Sequence, residues 1–600
     1  MWEETEMRDK GNMAAIDELG NKNLKIVLCN VPGREDQKRE IYGQVPNLAI
    51  NSLYKHMKLN GYDAVYYDID MLLPSEDEIR CFFKEQKPDV VGISVVVSPS
   101  YRKAKHIAQI IRESHPDSFI VLGGNMAVCA NLCLRKVGVD VCAIGEGEKT
   151  WVSLLDYVKQ NNGKKNIDAL KNIKGIAFLN EEDEMELTGT GEPIPGSEYP
   201  QPDYDFLSFG NPKFLEYLFM PKNRFPMFSH DKRVIGKSHK VAILIISKGC
   251  VARCSFCQRF CKGYKTMDLK NIEENIRMLK EKYGIQLIYI FDECFGADKK
   301  HTYKVLEFFK KYDVLWSCSI RVTSVTKEDL LHYKDSGCSN LKFGIESGSQ
   351  KMLTILDKGS TIEQNMDTLK NCYDVGILSP PSMLIGMPGE TDDTIKESGI
   401  FLGKFAKYVG VSPLDIGCAF YFATPYPGTP LYEYGMLNGC FGGTIDEEER
   451  FLNYLSDKNL SKFNYINLTG ESNKKTFFWD YLLMLEALRT YYTDFIKKDT
   501  NKFQWAAGVE QEDIFKKIFR KLPDWFNGFI FTKIPRSIIY TIFREFIYLI
   551  NMKKIKTFEL RNKPDVLTSV QPLRKINIEL RKNINPEPLR EENQLILYSS

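Results

Sequence analysis

Twice along its 600 residues the chain alternates short, almost uninterrupted apolar segments with stretches of helix length, and this repeat limits its fold more than any other feature. In the first run, apolar segments at 26–30, 63–68, 90–97, 119–122 and 141–144 alternate with helical patterns near 48–59, 76–85 and 101–114, and a further helix starts at 150. In the second, the segments fall at 241–246, 286–291, 315–320, 341–345, 381–386 and 416–421, with helices near 269–283, 299–312, 327–336, 362–375 and 391–405. A strand that is apolar on both faces has to be covered on both faces, so each run reads as a parallel sheet wrapped by its own helices. The expected class is α/β: a Rossmann-like domain over 23–160, a linker with a hairpin over 161–240, a partial barrel of six β/α units over 241–440 and a mainly helical region over 441–600. Residues 1–22 are polar and aperiodic and read as a mobile arm.

Ligands of such sheets bind at the carboxyl ends of the strands. The segment 241–246 runs into Ser247-Lys-Gly-Cys-Val-Ala-Arg-Cys-Ser-Phe-Cys257, which sets Cys250, Cys254 and Cys257 in a CxxxCxxC spacing. Three thiolates on one short loop can hold three irons of a [4Fe-4S] cluster and leave the fourth iron open. A structural zinc site would need a fourth ligand, for which Cys261 is the nearby candidate. The spacing is not the C-x₂-C-x₂-C-x₃-C-P run of a bacterial ferredoxin.

The later strand ends are equally specific. Phe291-Asp-Glu-Cys-Phe295 follows the second, Arg321 the third, Gly344-Ile-Glu-Ser-Gly-Ser349 the fourth, Gly386-Met-Pro-Gly-Glu-Thr391 the fifth and Thr424-Pro-Tyr-Pro-Gly-Thr-Pro430 the sixth. Carboxylates there can accept from an ammonium or ribose hydroxyls, an arginine can meet a carboxylate, and glycines let a flat ring pass. In the first domain Val91-Gly-Ile-Ser94 runs on to Ser98, Leu122-Gly-Gly124 ends the next strand, and Gly145-Glu-Gly-Glu-Lys-Thr150 follows the last. These glycines and hydroxyls suit a nucleotide-sized tail, and they suit equally the tight turns of a flavodoxin-like domain.

Together these blocks carry a family resemblance. Residues 241–435, with Phe256 before the third cysteine, Phe343-Gly-Ile-Glu-Ser-Gly-Ser-Gln-Lys-Met-Leu353, Lys358-Gly359 and Gly386–Thr391, resemble the cobalamin-binding branch of the radical S-adenosylmethionine (SAM) superfamily, which includes anaerobic Mg-protoporphyrin ester cyclase-type proteins. Residues 24–160 look like the cobalamin-binding domain found in front of many such enzymes. The resemblance implies a [4Fe-4S] cluster on Cys250, Cys254 and Cys257 with Phe256 beside it. It places Asp292 or Glu293 at the SAM amino group, Arg321 at its carboxylate, Glu346 and Ser347 at its ribose and methionine portions, and Gly386 and Pro388 at its adenine. It lines the cobalamin tail pocket with Ser94, Ser98, Gly123, Gly124, Gly145 and Glu146. In one respect the chain departs from the pattern. The DxHxxG element that ligates cobalt from below is missing, and Asn30-Val-Pro-Gly33 stands in its place, so the lower ligand is open. The implied activity is reductive cleavage of SAM to a 5′-deoxyadenosyl radical, leading to methylation of an unactivated carbon or to a cyclisation or oxidation without methyl transfer. The implied partners are a small-molecule or lipid-like substrate and an electron donor such as flavodoxin or ferredoxin. A cobalamin or SAM sensor without turnover is the non-enzymatic alternative.

Composition narrows the setting. A formal net charge of +2 gives no argument for nucleic acid as a partner. The 15 cysteines are scattered behind a start with no apolar leader, so a reduced, cytoplasmic protein is expected, with Cys29, Cys81, Cys142, Cys318 and Cys372 as small core fillers. The aromatic stretch 219–230 reads as a domain contact or flap. Helices are expected over 476–498 and 511–522. Residues 525–552 read as an amphipathic pair capping the barrel, with a peripheral membrane contact through 525–556 as the sharper alternative, and the last forty residues as a loose tail.

Overall fold

The computed structural model describes residues 24–32, 47–96, 98–208, 215, 219–221, 228, 230–234, 239–259, 261, 263–456, 465–493, 519–555 and 557–583. The arm expected over 1–22, most of the aromatic stretch 219–230 and most of the helix expected over 511–522 lie outside these residues.

The first domain is built on strands β1 (Ile26–Asn30), β2 (Val65–Asp68), β3 (Val90–Ser94), β4 (Phe119–Gly123) and β5 (Val141–Ala143), parallel and in the order β2-β1-β3-β4-β5. Alternate residues explain the layers. Ile26 and Leu28 pack under α1 (Leu48–Leu59) and α4 (Glu148–Gln160), while Val27 and Cys29 face α2 (Glu76–Gln86) and α3 (Tyr101–Ser114). The hairpin expected in the linker, β6 (Ile176–Leu179) and β7 (Met185–Leu187), pairs antiparallel onto β5 and extends this sheet to seven strands. Its acidic turn is closed by the Asn180 carboxamide, which accepts from the Glu182 and Glu184 N–H groups at 3.0 and 2.8 Å.

The second sheet curls into a partial barrel. Its parallel strands β9 (Lys240–Leu244), β12 (Leu287–Phe295), β13 (Leu315–Ile320), β14 (Cys338–Glu346), β15 (Pro381–Ile385) and β16 (Ala419–Phe422) lie in chain order, with the short β8 (Met220–Pro221) antiparallel at the β9 edge. Between β9 and the next helix stands an antiparallel pair that strand periodicity does not announce, β10 (Ser247–Cys250) with β11 (Gly263–Thr266). The covering helices are α5 (Leu269–Glu281), α6 (Lys299–Lys311), α7 (Lys327–Asp335), α8 (Ile362–Val375) and α9 (Asp392–Val409). Each starts on a side-chain cap, from Asp268, Asp298, Thr326, Thr361 and Thr391 in turn, a feature that stabilises a helix by about 1 kcal/mol.

After β16 the described helices are α10 (Pro430–Leu437), α11 (Ile445–Ser456), α12 (Asn473–Tyr492), α13 (Asp524–Lys533), α14 (Arg536–Asn551) and α15 (Leu573–Asn583). α12 lies directly on α9, because a Cβ at Gly399 or Gly403 would come within 2.5 Å of the Leu483 or Ala487 carbonyl. The pair expected over 525–552 is α13 and α14, divided at Pro535 and packed on α12. The loose-tail expectation is wrong for 573–583. Leu573, Ile576 and Leu580 repeat at i, i+3 and i+7 and dock α15 on α10, and Asn577 donates to the Pro430 carbonyl at 2.9 Å. Cys29, Cys142, Cys318 and Cys372 are buried, but Cys81 is exposed on α2, where it bonds Glu85. Among the described residues no helix is long and apolar enough to cross a membrane.

Candidate functional site

The three cysteines sit on the loop that the β10–β11 pair closes. Gly249, at φ +86°, lies against β11 so closely that a Cβ would meet the Gly263 carbonyl at 2.3 Å. Beneath the loop, Asp292 accepts from the Ile246 N–H at 2.9 Å and from the Ser247 hydroxyl. Burial pushes the Asp292 carboxyl up to about 7. Both of its oxygens hold the strand-to-loop junction, which takes it away from the ligand role considered for it. Glu293, next along β12, is half-buried and accepts from the Gly249 N–H at 2.9 Å.

The far side of the loop is pinned as well. Ser255 N–H donates to the Leu356 carbonyl at 2.9 Å, its hydroxyl to the Ile355 carbonyl at 3.0 Å, and its own carbonyl accepts from the Leu431 N–H. Arg574 of α15 donates to the Arg253 carbonyl at 2.6 Å. Sequence reading missed this brace, although the apolar repeat of α15 was there to be found.

The thiols are poised unequally. A hydrogen bond from the Cys294 thiol, with the Ala252 N–H and the charges of Arg321 and Arg259, lowers Cys250 to about 6 despite its partial burial. Cys254 is buried and accepts from the Arg321 guanidinium at 3.4 Å. Cys257 is exposed, yet desolvation of its sulfur and the neighbouring Cys254 and Cys250 push it up to about 12. Among the described residues no three His, Cys, Asp or Glu side chains converge on a point fit for a single ion. Three soft thiols on one loop are the donor set of a multi-iron cluster, which takes one iron per sulfur.

Arg321 also donates to the Lys358 carbonyl at 2.5 Å, and the Lys358 ammonium meets Glu346 at 2.9 Å with both side chains about one-tenth exposed. The same ammonium stands 6.0 Å from the centre of the Phe256 ring. Glu346 has φ +65°, a left-handed conformation held at the end of β14. Ser347 does not fit the ligand role given to it: it is 1% exposed and its hydroxyl bonds Ser398 and the Ser349 N–H. Gly386, at φ +93°, and buried Pro388 form the turn after β15. The Tyr465 hydroxyl donates to the Gly386 carbonyl at 2.7 Å, and buried Glu390 accepts from its N–H.

An open cleft separates this loop from the carboxyl ends of the first sheet. Ser94, Gly123, Gly124, Gly145 and Glu146 line one side, and Lys248, Gln258, Arg259 and Cys261 of the cysteine loop line the other with Pro427 and Gly428. The side chain of Ser98 lies outside the described residues. Gly124, at φ +87°, cannot carry a Cβ, which would fall 2.5 Å from the Val95 carbonyl, and a Cβ at Gly123 would meet nothing within 4 Å. A floor of bare backbone there lets a flat group approach the strand ends closely. Ser94 accepts from Asn47, and Asn47 bonds Asn30, which bonds Asp68, a buried polar chain at the strand ends that no motif signalled.

Glu146 reaches the cleft but is held across it. It accepts from Lys265 at 2.8 and 2.9 Å and from the Tyr199 hydroxyl, with Lys248 at 3.7 Å. Burial opposes its charge, but these partners keep its carboxyl below the usual range. Lys248 also faces buried Glu148 at 3.5 Å, so two lysines of the β10–β11 pair join two carboxylates of the first domain.

The radical SAM superfamily model matches residues 244–402 and the B12 binding domain model residues 38–155. The chain therefore carries a B12 binding domain followed by a radical SAM domain. This radical SAM chain is 29% identical over 429 residues to an uncharacterized methyltransferase of Pyrococcus horikoshii, a match covering 70% of this chain and 84% of that protein. It is 27% identical over 381 residues to the anaerobic magnesium-protoporphyrin IX monomethyl ester cyclase of Rubrivivax gelatinosus, covering 62% of this chain and 64%, just under two thirds, of the cyclase. Its fold is similar to that of the radical SAM methyltransferase TsrM from Kitasatospora setae, solved with cobalamin and a [4Fe-4S] cluster bound, at TM-score 0.55 and 18% identity over 70% of this chain and 79% of that one.

Proposed function

We propose that this protein is a cobalamin-dependent radical SAM methyltransferase acting on an unactivated carbon of a small-molecule or lipid-like substrate. The observation that carries the reading is the shared wall: the loop holding Cys250, Cys254 and Cys257 is itself one side of the glycine-floored cleft. When loaded, the cluster supplies the electron that splits SAM into methionine and a 5′-deoxyadenosyl radical, and cobalamin supplies the methyl group. The chain's own groups prepare both places. The hydrogen bond from Cys294 and the nearby guanidinium charges favour the thiolate of Cys250, and Arg321 stands where it can balance thiolate charge. Glu293, rather than Asp292, is the carboxylate placed to accept from the SAM ammonium. Glu346, fixed by Lys358, serves its ribose, and the Gly386–Pro388 turn borders its adenine. Exclusion of water between the two sheets protects a radical and keeps it near its target.

The likeness to a protoporphyrin ester cyclase supports a second reading, radical cyclisation or oxidation without methyl transfer. The fifteen free thiols suit a reducing compartment, and we assign the protein to the cytoplasm with a flavodoxin- or ferredoxin-like electron donor.

After anaerobic reconstitution and reduction, the protein should cleave SAM to 5′-deoxyadenosine. Replacement of Cys250, Cys254 and Cys257 by Ala should remove both the visible absorption of the cluster and that cleavage. S-adenosylhomocysteine formed together with a methylated product supports methyl transfer, whereas turnover without either supports the second reading. A cluster that survives in the triple variant would sink the assignment, and an intact cluster that never cleaves SAM would point to a sensor.

A further inference from the structure

Helix α14 is fixed to the molecule by one face. Ile539 and Ile547 are buried, Tyr540 donates to Glu486 at 2.5 Å, Arg536 meets Glu486 at 2.8 Å, and Lys474 meets Glu545 at 2.6 Å. The side turned to solvent carries Ile538, Ile542, Phe546 and Leu549, with Ile550 at its edge, and these are between 43% and 65% exposed. At 100° per residue Ile538, Ile542, Phe546 and Leu549 gather within about 80° of the helix circumference, and Ile550 of the last turn lies about 40° further round, past buried Ile539. Phe529 of α13 and Met552 beyond the helix end are exposed as well, at 54% and 53%. Single exposed apolar residues are ordinary on a protein surface, but a continuous stripe on a well-held helix marks a partner.

The charges beside the stripe say what kind of partner. Residues 519–555 hold seven Lys and Arg against Asp524 and Glu545 alone, although the whole chain carries only +2. Glu545 is already paired with Lys474. Lys521, Lys533, Lys553 and Lys554 are exposed and make no ion pair among the described residues. An apolar helix face rimmed by lysines matches the boundary between acyl chains and anionic headgroups. A second copy related by a two-fold axis would set these lysines against their own equivalents, a repulsion that anionic lipid does not meet. No described helix can cross a bilayer, so the contact is with its surface.

We propose that α14 lies in the plane of an anionic membrane surface and docks the protein there through Ile538, Ile542, Phe546, Leu549 and Ile550, with Lys533, Lys553 and Lys554 on the headgroups. The docking is independent of the radical chemistry, so its failure would leave the catalytic reading intact.

Flotation with vesicles tests it. The full-length protein should float with phosphatidylcholine vesicles containing about 30 mol% phosphatidylglycerol, and much less with phosphatidylcholine alone or at high salt. Ile542→Glu with Leu549→Glu should reduce the floated fraction by about tenfold or more. Lys553→Glu with Lys554→Glu should abolish the lipid-charge dependence. Because all four positions are exposed, circular dichroism and SAM cleavage should be unchanged in both variants, which separates lost docking from misfolding. The proposal is overturned if the wild type stays unbound with anionic vesicles, if the Ile542/Leu549 variant floats equally well, or if light scattering shows a dimer that this variant dissolves.

Discussion

Neighbouring carboxylates on one strand have opposite fates here. Asp292 points under the cysteine loop and holds Ile246 and Ser247, whereas Glu293 lies on the other side of β12 against Gly249. Asp292→Ala should therefore destabilise the apoprotein by about 1–3 kcal/mol, because the Ile246 N–H and the Ser247 hydroxyl both lose their acceptor. Glu293→Gln should melt like the wild type but weaken SAM binding by about tenfold, the loss of one charged hydrogen bond, measured by calorimetric titration of the reconstituted enzyme. Glu390 supports a pH experiment. Burial raises its carboxyl from 4.5 to about 8, so the folded state binds its proton more tightly than the unfolded chain does. Its contribution is complete below about pH 4.5 and is lost as pH rises through about 8. Chemical denaturation at about pH 5 and about pH 8.5 should show a steeper fall for the wild type than for Glu390→Gln. The cysteine spacing was fully legible in the sequence because Cys250, Cys254 and Cys257 lie within eight residues of one loop. The split between Asp292 and Glu293, and the inward turn of Ser347, were not, since they depend on which face of a strand meets a loop that folds back over it.

Both central sheets were legible as elements, because strands buried on two faces write their position into uninterrupted apolar runs. The β10–β11 pair escaped for a physical reason. It is four residues a side and polar, and it exists because Gly249 lets two backbones close across the cysteine loop. α15 escaped because the charged residues between Leu573, Ile576 and Leu580 hide a three-residue apolar repeat within a composition typical of disorder. If α15 is the brace described here, Leu573→Ala should cost about 2–4 kcal/mol in denaturant unfolding, where a loose tail would lose nothing. Arg574→Ala should leave global stability nearly unchanged and instead speed loss of the reconstituted cluster, followed by its visible absorption, because the bond to the Arg253 carbonyl holds the loop and not the core.

At the scale of the molecule, the chain had to bring two sheet ends face to face, and no motif could say how. The answer lies in charges that read as ordinary in sequence: Lys248 and Lys265 from the cysteine hairpin clasp Glu146 and Glu148 of the first domain, with Tyr199 of the connection between them. The Glu146 and Lys265 side chains are 9% and 19% exposed, so removing one partner strands a poorly hydrated charge. Lys265→Met should then destabilise the protein by about 3 kcal/mol, and Glu146→Gln in the same chain should restore part of that loss, since it removes the stranded carboxylate. The same clasp sets the width of the cleft. Lys265→Met should for that reason also release added cobalamin faster on gel filtration than Gly124-intact variants of equal stability elsewhere in the fold, such as Leu573→Ala. Equal retention by the two variants would reduce the clasp to a stability device, whereas selective release by Lys265→Met ties the spacing of the two domains to the hold on the cofactor.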